Sequence, residues 1–133
     1  MRRICAVVAF ASLLLPLAAA ASRPARLPGF LGDCQHARVR PAEVILACGD
    51  GSAAFEVVAW TSWTARAARA TGTAQINDCE PSCVAGQFHP HRAVLLLYRP
   101  RPCHGASRFT RLKRIFAVRP SRGQPSPVAY PCR

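Results

Sequence analysis

The stretch EVILACGDGSAAFEVVAW, residues 43–60, predicts a β-hairpin. Two apolar runs flank the pair Asp50 and Gly51, and an Asp-Gly pair accepts the positive φ that a tight hairpin turn demands. From Phe55 onward the second run alternates between two sets of side chains, one of which contains Glu56. Such alternation is typical of a strand with one buried face. We therefore predict two paired strands whose turn lies at Asp50 and Gly51.

Three later segments also favour strands. Residues 61–77 combine helix-favouring alanines and arginines with threonines and a two-residue alternation, and the alternation favours a strand over a helix. Residues 92–98 form an apolar run between Pro90 and Pro100, which fits a central strand, and residues 108–118 alternate before they become apolar. We predict an all-β, mostly antiparallel fold: a single small disulfide-stapled β-sandwich or barrel-like domain of about five strands.

The N-terminal segment has the order of a secretory signal. Two arginines precede an apolar run over residues 4–17, and alanines follow at residues 18–21. The apolar run is shorter than the roughly 20 residues of a comfortable membrane span. We predict a signal peptide over 1–21, a flexible leader over 22–33, a secreted β domain over 34–119 and a Pro-rich tail over 120–133. The product is then extracellular or cell-wall associated, with no stable membrane insertion.

Cleavage of that signal would remove one of seven cysteines. An even number in a small exported domain predicts a disulfide framework, and six cysteines allow 15 pairings. The remaining six are Cys34, Cys48, Cys79, Cys83, Cys103 and Cys132.

Residues 77–91, NDCEPSCVAGQFHPH, contain two cysteines in C-x3-C spacing followed by His89 and His91. This spacing permits a zinc site. In an exported protein, however, thiolates are oxidised, and four other cysteines offer partners. We predict that Cys79 and Cys83 staple a turn to each other and that the chain holds no metal and no cofactor.

Catalytic arrangements have little support in this sequence. Six paired cysteines leave no free thiol nucleophile, no serine lies in a G-x-S-x-G context, and the spacing of the six acids does not indicate a carboxylate pair. We predict that the protein is not an enzyme. A small secreted hydrolase carried by His89, His91 and nearby acids remains the least favoured alternative.

The charge balance points to an anionic partner. Without Arg2 and Arg3 the chain keeps 16 basic residues against six acids, a net charge of about +10, and such a surface attracts anionic polymers. We predict a non-catalytic binding module for an anionic extracellular or cell-wall polymer or an acidic protein. The alternation over residues 108–118 would place Arg108 and Arg114 on one strand face. The candidate binding residues are Arg66, Arg69, Arg92, Arg99, Arg101, Arg108, Arg111 and Arg114.

A protease inhibitor is the second hypothesis. Disulfide-braced β scaffolds commonly present a rigid loop, and residues 99–103, RPRPC, are a candidate loop. Prolines on both sides of Arg101 would resist cleavage. They would also make the loop unlike a substrate.

Trp60 and Trp63 are three residues apart. On a regular strand they would point to opposite faces, so that one would be core and the other exposed. An exposed tryptophan beside arginines can form a stacking platform for sugars or bases. We favour the simpler interpretation that both pack on the sheet.

A longer pattern runs through the middle of the chain: CGDG from Cys48, WTSW from Trp60, ATGT from Ala70, NDCEPSCVAGQFH from Asn77 and RFTRL from Arg108. Over residues 44–112 the chain resembles an uncharacterised family of small exported proteins from actinomycete-type bacteria. The resemblance implies only an exported, β-rich, disulfide-bearing domain, with no activity, substrate or catalytic residue.

In this resemblance Cys48, Cys79 and Cys83 lie at family positions, and Cys103 and Cys132 are additions of this chain. The connectivity stays open at this point. The pairing that we predict is Cys34 with Cys48, Cys79 with Cys83, and Cys103 with Cys132.

Overall fold

The computed structural model describes residues 25–120 and 126–132, so the predicted signal peptide over 1–21 lies outside the described residues. The described chain forms an antiparallel sheet of six strands, curled into a half-barrel, in which each strand pairs with the next along the chain. The all-β prediction is confirmed, and the single sheet agrees with the barrel-like alternative rather than the sandwich. The strands are β1 (Glu43–Ile45), β2 (Ala53–Trp63), β3 (Ala68–Asn77), β4 (Phe88–Cys103), β5 (Ala106–Phe116) and β6 (Val128–Ala129).

The predicted hairpin is present as β1 and β2. Gly51 adopts a positive φ of 69°, and the Asp50 carboxylate accepts a hydrogen bond of 2.9 Å from the backbone N–H of Ser52. Strand β1 is shorter than the apolar run that predicted it. The backbone N–H groups of Leu46 and Ala47 both donate to the carbonyl of Ala53, which ends the regular ladder after Ile45.

Strand β3 confirms the preference for a strand over a helix in the segment 61–77. The inward face of the sheet, which we define as the side facing the core, carries small residues along β3: Ala68, Ala70, Gly72 and Ala74. Larger core side chains, such as the fully buried Phe55, fit over them. The inward side of β3 must carry small residues, and this requirement produces the two-residue alternation that predicted a strand.

Two bulges in β2 bring both tryptophans to the inward face. The register with β3 shifts between Val57 and Ala59 and again between Trp60 and Ser62, and each extra residue changes the phase of the side chains. The rings of Trp60 and Trp63 consequently meet edge to face, 4.5 Å between centroids. The predicted opposite faces are wrong, whereas the expectation that both pack on the sheet is confirmed.

Strand β4 runs through two prolines that were expected to bound it. Pro90 lies where β4 pairs with β3 but not with β5, and Pro100 lies where it pairs with β5 but not with β3. A proline nitrogen cannot donate to a ladder, so a position with one neighbouring strand accommodates it. The strand is therefore longer than the apolar run over residues 92–98.

The described parts of the predicted leader and tail are packed on the domain. Phe30 is fully buried, and Gly29 exchanges backbone hydrogen bonds of 2.9 Å with Ser107 and Phe109 of β5. These residues lie in the segment 22–33 that we predicted as a flexible leader. In the tail predicted over 120–133, β6 pairs with β5, and the buried Tyr130 packs its ring 4.6 Å from that of Phe30. The described residues of both segments pair with the sheet, which their irregular sequences do not reveal.

Three disulfides join Cys34 to Cys48, Cys79 to Cys83 and Cys103 to Cys132, which are the predicted pairs. The first links Cys34, in the loop that follows Phe30, to Cys48 in the turn between β1 and β2. The third links the end of β4 to the segment after β6. Three disulfides in a small domain fit an extracellular protein.

Gly72 should not tolerate a side chain. A Cβ at this position would overlap the Glu56 carbonyl oxygen and lie 2.8 Å from ring atoms of Phe55. We expect Gly72→Ala to lower the free energy of unfolding by about 1–3 kcal/mol, because the buried ring or the bulged strand must move. Urea unfolding followed by tryptophan fluorescence measures this.

Gly49→Ala is the matched control for this substitution. A Cβ at Gly49 meets nothing within 4 Å, so this variant should unfold within about 0.5 kcal/mol of the parent protein. Equal stability of the two variants would contradict the packing described here.

Candidate anion-binding surface

The outward side of β3, β4 and β5 is rich in cations. Residues paired across neighbouring antiparallel strands point their side chains to the same side of the sheet, and the register places Arg69 with Leu96 and Lys113 in one row. Tyr98 pairs with Arg111, and Arg101 pairs with Arg108. We call the outward cations of these strands the basic face; its members are Arg69, Arg92, Arg101, Arg108, Arg111 and Lys113.

No carboxylate lies in these three strands. β3, β4 and β5 contain neither aspartate nor glutamate, and within the described part of the chain no ion pair joins a basic-face cation to an acid. The exposed Glu56 of β2 pairs with Thr73 of β3, which pairs with Arg92, so one carboxylate borders this surface on its β2 side. Glu43 of β1 pairs with Glu56. Ion pairs among the described residues therefore do not neutralise the positive charge of the face, and its field extends into solvent.

Exposure differs among the members of the basic face. Arg69, Arg92, Arg101 and Lys113 are exposed, whereas Arg108 and Arg111 are half-buried. A half-buried arginine can pack its aliphatic stem on the sheet, and the Nε atom of Arg108 is buried with no hydrogen-bond partner among the described residues. The exposed members are consequently the ones that an anion reaches most readily.

Arg114, one of the predicted binding residues, lies on the inward face. Only 5 % of its surface is exposed, it pairs with the buried Leu95, and its guanidinium carbon lies 6.0 Å from the centre of the Phe116 ring. Burial lowers the pKa of Arg114, and burial raises the pKa of the nearby Tyr130 to about 12. Arg114 thus belongs to the core and does not contribute to the basic face.

The predicted common face of Arg108 and Arg114 is wrong because β5 is irregular between them. Phe109 and Leu112, three residues apart, are both buried, so the alternation changes phase near Thr110. On the paired strand Arg99 has a positive φ of 53°, and its carbonyl accepts a 2.8 Å hydrogen bond from the Thr110 hydroxyl. This irregularity turns Arg108 outward and Arg114 inward.

Two further predicted residues lie beside the basic face rather than in it. Arg66 is exposed in the turn between β2 and β3, and Arg99 is exposed at the irregular position of β4. The candidate binding residues named from the sequence are all arginines and do not include Lys113. Lys113 is two positions from Arg111 on β5, and this spacing in the sequence predicts that both point to the same side.

The loop between β3 and β4 contains the one polar cluster that the sequence singled out. The buried Asn77 donates from its amide nitrogen to the Cys83 carbonyl at 3.0 Å and accepts from the Cys79 N–H at 2.8 Å. Gly86 approaches so closely that a Cβ there would overlap the Asn77 amide oxygen. The disulfide between Cys79 and Cys83 and this amide together hold the loop as a turn, as predicted.

Asp78 and His89 meet at the base of this loop, but His91 does not join them. The Asp78 carboxylate lies 2.9 Å from His89 Nε2, whereas the His91 ring packs 6.2 Å from Phe116. Among residues 25–120 and 126–132 no group of three or more metal-binding side chains is found. The structure therefore assembles a carboxylate–imidazole pair and not the zinc site that the spacing permits.

The Asp78 carboxylate is held in its ionised form. His89 is the main cause, and the backbone N–H groups of Glu80 and Gln87 also donate to it at 3.1 and 3.0 Å. These hydrogen bonds lower the pKa of Asp78 from 3.8 to about 2. The carboxylate thus has a structural role in closing the loop.

Residues 99–103, the candidate inhibitory loop, belong to strand β4. Pro100 to Cys103 pair with β5 over their whole length. A segment bound into a hairpin is not free to enter a protease cleft as a loop, so this geometry removes the specific support for the inhibitor hypothesis.

No family model, curated protein or solved structure matches the chain. The resemblance to the actinomycete-type family stays a prediction. In the part of the chain that the structure describes, no helix is long and apolar enough to cross a membrane.

Acid should weaken the loop through Asp78. A carboxylate with a lowered folded-state pKa stabilises the fold above its ordinary pKa and loses that effect as the pH falls through about 2. We expect Asp78→Asn to be less stable than the parent at about pH 5 and to approach it between about pH 4 and pH 2. Urea unfolding across this range measures the difference. A deficit that stays constant down to about pH 2 would contradict the role assigned to Asp78.

Proposed function

We propose that this protein is a non-catalytic, secreted binding module that holds an anionic extracellular or cell-wall partner on its basic face. One observation carries the proposal: three neighbouring strands present six outward cations and no carboxylate. An acid-free face of this kind is unusual on a surface that only needs to be soluble, where both signs of charge are interspersed.

The arrangement of the cations supports a polymeric partner. Arg92 and Arg101 are nine positions apart on β4, which corresponds to about 30 Å along an extended strand. A single small anion cannot contact charges over that distance. A polymer or another extended anionic surface can neutralise several of them together and release their counterions.

The rigidity of the face also supports binding. Each basic-face cation stands on a strand that is paired on at least one side, and the inward side of those strands packs into the core. Side chains on such elements lose less freedom on binding than side chains on a mobile loop.

Charge removal on the basic face should weaken binding to a soluble polyanion. We expect Arg69→Gln with Arg101→Gln to reduce affinity for long-chain polyphosphate at least about tenfold and to make the slope of log K against log salt shallower by about two. Both residues are exposed, so the fold should be unaffected. Isothermal titration calorimetry at several salt concentrations gives both quantities.

The matched control replaces Arg26 and Arg40, which are exposed and lie outside the sheet. This double variant loses the same net charge and should bind within about twofold of the parent. Equal losses for the two double variants would show a general charge effect and would contradict a defined binding face.

A further inference from the structure

The basic face surrounds a row of aliphatic side chains. Val94 of β4 pairs with Thr71 of β3 on one side and with Ile115 of β5 on the other. Arg92 lies two positions before Val94, and Leu96, with its row partners Arg69 and Lys113, lies two positions after it. The aliphatic row thus lies between Arg92 on one side and the row of Arg69 and Lys113 on the other. Glu56 of β2 lies in the row of Arg92, two strands away from it.

Val58 extends this aliphatic row onto β2. It is the extra residue of the first bulge, and 78 % of its surface is exposed. Ile115, at the other side of the face, is 45 % exposed. Val58 and Ile115 line one depression of about 580 Å³ on the outward side, together with Thr71, Thr73, Val94 and Arg92.

From this arrangement we infer that the anionic partner of the basic face is a lipid layer with anionic headgroups. The inference rests on the proposed function and narrows it to one class of partner. The aliphatic side chains of the depression contact the apolar part of the layer, and the flanking cations bind the headgroups.

The aliphatic row favours a lipid layer over a soluble polyanion as the partner. A polyphosphate or an anionic polysaccharide has no apolar surface for Val58 and Ile115 to contact, so cations alone would serve it. Interfacial binding to anionic lipid instead combines buried apolar area with electrostatic attraction. The basic face contains both components within one row of each other.

Two further observations favour a layer over other occupants. The cations extend over about 30 Å along β4, which exceeds the headgroup of a single amphiphile. Binding of single-stranded nucleic acid stacks successive bases on aromatic rings. The outward aromatic side chains of β3, β4 and β5 are the half-buried Tyr98 and the exposed Phe88, which are ten positions apart on β4, about 33 Å along an extended strand.

The test compares vesicles with a soluble polyanion. The full exported chain is mixed with vesicles of phosphatidylglycerol and phosphatidylcholine, with pure phosphatidylcholine vesicles, and with long-chain polyphosphate. We expect binding to the anionic vesicles and to polyphosphate, and none to the neutral vesicles. In cosedimentation, Val58→Ser with Ile115→Ser should lose about tenfold in affinity for the anionic vesicles and keep its affinity for polyphosphate.

Val39→Ser with Val84→Ser is the matched control, since both valines are exposed but lie outside the sheet. This variant should bind the anionic vesicles like the parent. Unchanged vesicle binding by the Val58 and Ile115 variant would overturn the inference and leave the proposed function intact. Binding of the parent protein to polyphosphate but not to anionic vesicles would also overturn the lipid inference and leave the proposed function intact.

Two other results are informative. Failure of the parent protein to bind either anionic probe would overturn the proposed function itself. Self-association that the Val58 and Ile115 substitutions abolish, measured by sedimentation velocity, would identify a second copy of the chain as the occupant and would overturn the lipid inference.

Discussion

The packing of the Phe55 ring onto Gly72 is the contact on which the rest of the sheet depends. There is no room for a Cβ between the two strands at this point, and the first bulge of β2 follows directly after it. The two bulges then turn both tryptophans inward, where their indole N–H groups donate 2.9 Å hydrogen bonds to the carbonyls of Pro41 and Pro28. This close approach thus couples the curl of the sheet to the segments that cover its core.

The same packing decides which charges face solvent. Once the inward side is filled by alanines, leucines and aromatic rings, the alternate residues of β3, β4 and β5 must point outward, and many of them are basic. Arg114 shows the converse, because a phase change near Thr110 carries it into the core beside Phe116. The basic face therefore follows from the pattern of strand irregularities as much as from the composition.

The disulfides hold the segments that close the core rather than the sheet itself. Cys34 and Cys48 are 14 residues apart, and Cys103 and Cys132 are 29 apart; on a chain-entropy estimate each loop contributes about 3–4 kcal/mol. Without these links the segments around Phe30 and Tyr130 would be held only by hydrogen bonds and by the packing of their buried side chains. The disulfides thus stabilise the closed core against which the inward side of the sheet packs.

Sequence reasoning predicted the elements that depend on local signals. The hairpin at Asp50 and Gly51 and the strand character of β3 follow from turn chemistry and alternation. Sequence reasoning failed where tertiary packing sets the phase of a strand. A constant period of two predicts Trp60 and Trp63 on opposite faces of β2, and Arg108 and Arg114 on the same face of β5. The burial of Phe30 was not predicted because the residues that bury it are distant in the chain.

The central claim is that anions bind the outward side of β3, β4 and β5. Chemical-shift mapping of the ¹⁵N-labelled protein during a polyphosphate titration tests this claim most directly. The account predicts that the amide signals of Arg69, Leu96 and Lys113 move together and saturate, while those of Arg26 and Arg40 stay in place. Shifts spread evenly over exposed arginines, or concentrated in the loop between Cys79 and Cys83, would contradict it.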